Sequence, residues 1–164
     1  MKTRVRTHPD EKRALIERIK ELNCLYEISK LFSQRSLSLE RLLKEIVKII
    51  PTAFQFPERT CARISHDGRE YRSENYSPGG ASLRLMIELK KRKCGFVEVA
   101  YCDDSHVSGT KFLEDEKKLL KAIAGLLGSI VEKKEAEISL KQTTNDLRKK
   151  AGELENKNIA LREI

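Results

Sequence analysis

Apolar positions follow two periods along this chain, and the changes between them mark its elements. Leu15, Ile19, Leu22 and Tyr26 follow a 4-3-4 spacing, one apolar stripe on a helix predicted over 10–34. Asp10, after Pro9, is its predicted N-cap. Leu25, Ile28, Leu31 and Phe32 widen the stripe further on, the pattern of a helix that begins in a two-helix seam and ends against a domain. A second helix is predicted over 38–50. Ser38 caps it, Leu39, Leu42, Leu43, Ile46, Val47 and Ile50 form its apolar face, and Pro51 ends it.

Beyond Pro51 the period falls to two. Thr60 to Ile64 reads as a short strand, His66-Asp67-Gly68 as a tight turn, and Glu70 to Tyr76 as the returning strand. Ser77-Pro78-Gly79-Gly80 is predicted to break the chain. Leu83, Leu85, Ile87 and Leu89 then alternate with Arg84, Met86 and Glu88. After a charged turn at Lys90 to Lys93, Gly95 to Cys102 is the partner strand. Val97, Val99 and Tyr101 share one of its faces, and Phe96, Glu98 and Ala100 the other. The sheet therefore has one buried face and one mixed face.

A polar loop is predicted from Asp103 to Thr110, and a long helix from Glu114 towards Ile164. Leu119, Leu120, Ile123, Ala124, Leu127, Ile130 and Val131 give its first part a broad apolar face, interrupted by Gly125 and Gly128. Each glycine costs about 1 kcal/mol relative to alanine, which close packing or a merely tolerated weak spot would equally explain. Leu140, Leu147, Leu154 and Leu161 then recur every seven residues, with Thr144, Ala151 and Asn158 at the a positions. Leucine at d with an asparagine at a is the pattern of a parallel two-stranded coiled coil. Lys150 complements Glu155 of the next heptad across such a pair, whereas Lys157 opposes Arg162. The expected dimer interface is Leu15, Ile19, Leu22, Tyr26, Leu127, Ile130, Leu140, Leu147, Leu154, Asn158 and Leu161.

Composition narrows the function. Charged residues make up 35% of the 164, an excess that suits long solvated helices. The net charge is +8, but it is dispersed, and only 5% of residues are aromatic with no Trp, which argues against a nucleic-acid role for this stretch. No apolar run is long enough to span a bilayer and the N-terminus lacks a secretory h-region, so a cytoplasmic protein with no membrane partner and reduced thiols is expected. Cys24, Cys61, Cys94 and Cys102 form no CxxC pair and have no histidine at zinc-ligand spacing, so no metal or cofactor is expected. His8, His66 and His106 have no spacing that suggests a triad. Glu88 and Glu98, on adjacent strands, are candidates for facing carboxylates.

Phe112-Leu113-Glu114-Asp115-Glu116, followed by Leu119-Leu120, Ile123-Ala124 and Leu127, resembles the final helix of a GAF domain. Cys94-Gly95-Phe96-Val97-Glu98-Val99 resembles that family's glycine-led central strand. Glu21-Leu22-Asn23-Cys24-Leu25-Tyr26-Glu27-Ile28-Ser29 is similar to the first helix of such domains in bacterial and archaeal sensor proteins. The resemblance covers about residues 12–135. It implies an α+β fold: a GAF-like antiparallel sheet with the N- and C-terminal helices packed on one face, extended by a C-terminal coiled-coil helix.

In that family the other face can hold a small ligand under a lid. Here the lid stretch, Ser77 to Ser82, is too short for a helix, and the Asn-Lys-Phe-Asp-Glu signature of the cyclic-nucleotide binders is absent. The candidate ligand-binding residues on that face are Cys61, Arg63, Arg84, Met86, Glu88, Phe96 and Glu98; solvated strand residues are the competing reading.

The expected organisation is a flexible basic arm over 1–9, a sensor domain over 10–135 and a coiled-coil signalling helix over 136–164. The helix stops within its heptads, as a fragment joined to a further domain would. The tail resembles linkers that lead to histidine kinases or LuxR-type helix-turn-helix regulators. The function so implied is a non-enzymatic homodimer that passes a ligand, partner or redox signal at Cys61 to such an output. The alternatives are a fragment of a DNA-binding transcription regulator and a GAF-type methionine sulfoxide reductase using Cys61 and Cys102.

Overall fold

The computed structural model describes residues 9–90, 92–102 and 111–163. In chain order the elements are α1 (Pro9–Ser33), α2 (Leu39–Ile49), 3₁₀ turns at Ile50–Ala53 and Pro57–Arg59, β1 (Thr60–His66), β2 (Arg69–Arg72), β3 (Pro78–Glu88), β4 (Lys93–Cys102) and α3 (Glu114–Arg162). Together they make an α+β fold around one four-stranded antiparallel sheet of order β2-β1-β4-β3. The chain divides into two compact units, one ending at Ile130 and the other Val131–Ile164. The predicted basic arm lies outside the described residues except for Pro9, as do the Asp103–Thr110 loop and Lys91 of the charged turn.

The helices form where their apolar faces and caps direct them. Ser38 holds an extended conformation, and its Oγ accepts the Arg41 N–H at 3.3 Å, so α2 begins where the cap was expected. Leu42, Leu43, Ile46 and Val47 turn inward and are fully or almost fully buried. Pro51 ends α2 by starting a 3₁₀ turn, where its missing N–H is not needed. That turn delivers Phe54 to the core. α1 lies against α2 and this turn, and buries Cys24 and Ile28.

In the hairpin, Asp67 (φ 45°) and Gly68 (φ 79°) both adopt the left-handed conformation of a two-residue turn. That fixes the register His66↔Arg69, Ser65↔Glu70 and Arg63↔Arg72. β2 stops at Arg72, short of the expected Tyr76. Ser73 keeps one ladder bond, its N–H donating to the Ala62 carbonyl at 2.9 Å, but its Oγ rather than its carbonyl accepts the Ala62 N–H, at 3.0 Å, and the ladder ends there. Residues 73–77 then form a strap across the ends of the two central strands, from one edge of the sheet to the other. Asn75 Nδ2 donates to the Thr60 carbonyl at 2.9 Å, at the start of β1.

The expected break at Ser77 to Gly80 is corrected. β3 starts at Pro78, which pairs with Cys102, and the register shifts before Ser82. An edge strand tolerates proline at its first position, and an irregular register absorbs the glycines.

Ala62, Ile64, Tyr71, Ile87, Val97, Val99 and Tyr101 make the inner face of the sheet, all buried. α2 lies against β1 and β2 on that side. At the start of α3, Phe112 stacks flat on Tyr101 with ring centroids 4.6 Å apart and meets Phe54 edge-on at 5.9 Å. Glu116 accepts the Leu113 N–H at 2.8 Å, half of a capping box, and the Gln55 N–H at 2.7 Å. The aromatic-acidic run that marks this helix therefore both caps it and ties it to the chain before β1.

Leu127 and Ile130, expected on a dimer seam, are instead fully buried within the chain. Their apolar face completes the chain's own core, so a partner cannot reach them. Among the described residues, no helix is long and apolar enough to cross a membrane.

Candidate functional site

The register of the three long strands gathers a charged and aromatic cluster on the outer face. Arg63 lies opposite Glu98, which lies opposite Arg84, and Met86 opposite Phe96. Cys61 lies opposite Ala100, one same-face step from Arg63. Six of the seven predicted ligand-face residues are thus brought together.

Glu88 is the exception. The register places Arg84, not Glu88, opposite Glu98, and Glu88 pairs with Lys93 beyond an irregularity after Ile87, so the expected carboxylate pair does not form. With Arg84, Leu85 and Met86, Glu88 borders a groove against Lys121, Ala124 and Gly125 of α3.

At the centre of the cluster, Arg63 Nε and its outer nitrogen both donate to Glu98 Oε2, at 3.0 and 2.6 Å. The other guanidinium nitrogen of Arg63 donates to Glu70 Oε1 at 3.0 Å. Arg84 reaches Glu98 Oε1 at 3.2 Å, and Arg72 holds Glu70 at 2.7 Å. The Phe96 ring carries two guanidiniums, Arg84 at 4.3 Å and Arg63 at 5.1 Å from its centroid. The Tyr76 ring, from the strap, meets Arg72 at 5.1 Å and Arg63 at 5.7 Å. Such contacts are favourable because a ring face is the negative end of its quadrupole.

This packing makes the mixed face less wet than its composition implies. Of the seven candidates Cys61 and Glu98 are buried and Arg63 and Phe96 half-buried, while Arg84, Met86 and Glu88 are exposed, as the competing reading of solvated strand residues expects. Burial alone pulls the Arg63 guanidinium down, but the hydrogen bond and charge of Glu98 outweigh it and hold its pKa above the ordinary value. Burial pushes the Tyr76 hydroxyl up; Arg63 opposes that shift and Glu98 adds to it. Arg72 keeps the Glu70 carboxyl below the usual range by hydrogen bonding, with Arg63 assisting. Burial pushes Cys61 up to about 11; the Ser77 N–H opposes this and the neighbouring Cys102 thiol adds to it.

Arg63 commits all its guanidinium nitrogens inside the cluster, whereas Arg72 and Arg84 are exposed. Arg72 and Arg84 stand on the two opposite edge strands, and each can offer charge-assisted hydrogen bonds to an anionic group at its own edge of the sheet. Glu70, Arg72 and Tyr76 escaped the sequence reading. The first two were accessible to it: a two-residue Asp-Gly turn places positions 70 and 72 opposite 65 and 63. Tyr76 was not, because its place depends on the strap.

The remaining seam positions are open. On α1, Leu15, Ile19, Leu22 and Tyr26 are between 48% and 64% exposed. On the second unit, Leu140, Leu147, Leu154 and Leu161 are between 62% and 70% exposed, and Ala151, Leu154 and Asn158 border one shallow groove. No family model and no curated protein matches this chain.

Proposed function

We propose that the chain is a non-enzymatic, GAF-like sensor module that works as a homodimer. In this reading a change at the outer sheet face is passed through the C-terminal helices to an output domain such as a histidine kinase or a helix-turn-helix regulator. The outer cluster supplies the input: a partly desolvated ion network with two guanidiniums turned outward, suited to a small anionic ligand or an acidic partner surface.

The observation that carries the reading is the leucine ridge Leu140, Leu147, Leu154 and Leu161. It is exposed along a helix whose other described positions from Ile138 onward are also exposed. An isolated helix gains little stability from propensity alone, so a regular apolar ridge on it favours a covering helix. The seven-residue repeat, with Asn158 in the same groove, favours a second copy as the cover.

Sedimentation equilibrium on the chain, beside the double variant Leu147→Glu, Leu154→Glu, tests this. A dimer is expected for the native chain and a monomer for the variant, with unchanged far-ultraviolet signal from the sheet-bearing unit. A native chain that stays monomeric up to its solubility limit overturns the reading.

A further inference from the structure

Two cysteine thiols lie side by side beneath the strap. Cys61 opposes Ala100, so Cys102, two residues on and on the same face, is its diagonal neighbour. The Cys102 thiol lies close enough to Cys61 to raise the pKa of the Cys61 thiol. The strap lies against both: the Ser77 backbone amide lowers the pKa of the Cys61 thiol, and the Cys102 thiol donates to the Asn75 carbonyl at 3.4 Å. Asn75 Nδ2 lies 3.7 Å from the same sulfur. Cys61 is fully buried, while Cys102 is partly exposed. Cys94 is remote, at the far end of β4, where its thiol donates to the Ile87 carbonyl at 3.6 Å, and Cys24 lies on α1.

We propose that Cys61 and Cys102 are a redox-active dithiol that closes to an intramolecular disulfide by exchange with a low-molecular-weight disulfide. The accessible Cys102 thiolate attacks one sulfur of the reagent, forming a mixed disulfide and releasing one thiolate. The Cys61 thiolate then attacks the Cys102 sulfur, forming the protein disulfide and releasing the second. Two electrons and two protons leave the dithiol, and the reagent becomes two thiols.

The diagonal spacing is wider than a direct cross-strand pair, so closure draws the end of β4 towards β1. Cys102 is the last residue of its strand, where such a shift disturbs few ladder bonds. Closure also removes the thiol hydrogen that Cys102 donates to Asn75, and with it one anchor of the strap. Tyr76, on that strap, lies over Arg63 and Arg72, so the change reaches the charged cluster. The inference concerns one chain and stands whether or not the chain dimerises or relays.

The test equilibrates the folded chain with mixtures of oxidised and reduced glutathione, quenches with acid, alkylates free thiols and maps peptides by mass spectrometry. The expected product has lost two hydrogens and yields a linked Cys61–Cys102 peptide, with Cys24 and Cys94 alkylated. Cys61→Ser is expected to stop at a single glutathione adduct on Cys102, and Cys102→Ser to leave Cys61 unmodified.

Amide hydrogen exchange on the native chain supplies a readout free of variants: closure is expected to speed exchange at Asn75, Tyr76 and Ser77 several-fold. A stable adduct on Cys102 without closure, a disulfide through Cys24 or Cys94, or no modification at all overturns the proposal.

Discussion

Glu98 accepts hydrogen bonds from two guanidiniums while its own side chain is almost out of water. Taking away one partner of such a group leaves the others desolvated and unmatched, which costs more than the pair itself contributes. Glu98→Ala is therefore expected to lower stability by about 2–3 kcal/mol, read from the chemical denaturation midpoint. Glu98→Gln keeps an acceptor for Arg63 and should fall between the native chain and Glu98→Ala. Glu70→Ala serves as the control: Glu70 has a similar hydrogen-bond count but an exposed carboxylate, and its loss should leave the midpoint within error. Equal effects at Glu98 and Glu70 would show that the cluster is solvated and undercut its role as a built input surface.

At the scale of elements, what was legible depended on how local the determinants were. Ser38, Pro51 and the Asp67-Gly68 turn act through their own backbone, so α2 and the first hairpin stand where the pattern put them. The boundaries that moved are those set by distant partners. The Ser73 Oγ takes the Ala62 N–H and ends β2, and Pro78 finds a place in β3 opposite Cys102. The outer cluster was legible for the residues whose facing follows from strand alternation; that Arg84 rather than Glu88 meets Glu98 is set by the β3–β4 register, which alternation does not encode.

Gly125 and Gly128 of α3, inseparable by sequence, are separated by their surroundings. A Cβ at Gly128 would lie 2.6 Å from the Glu88 carbonyl oxygen, whereas one at Gly125 meets nothing within 4 Å. Gly128 is thus the close-packing site and Gly125 the tolerated weak spot. Gly125→Ala is expected to raise stability by about 0.5–1 kcal/mol, and Gly128→Ala to lower it by about 1–3 kcal/mol as helix and strand are pushed apart. Thermal or chemical denaturation of the two variants decides it, and shifts of the same sign would contradict this account of how α3 meets β3.

For the whole molecule, the a positions of the C-terminal helix decide how a dimer would behave. Thr144 already satisfies its hydroxyl within its own helix, donating to the Leu140 carbonyl at 2.9 Å. Burying it against a second copy therefore leaves no hydroxyl donor unmet. Asn158 has a primary amide, which a seam buries well only when it meets another amide at the same level. Such a residue lowers stability and in return fixes register and strand number.

Replacing either by valine is thus expected to tighten self-association, but with different consequences. Thr144→Val should strengthen the dimer by a few-fold without changing its size. Asn158→Val should strengthen association by about tenfold or more, equivalent to about 1.4 kcal/mol, while admitting trimers or shifted registers. Sedimentation velocity, which resolves species by size, separates the two outcomes. In the proposed relay, a seam kept weak at Thr144, Ala151 and Asn158 would leave two arrangements close in free energy, the condition under which a small bias from the first unit changes their populations. If both variants associate no more tightly than the native chain, these positions do not lie in a seam, and the ridge must serve a partner other than a second copy.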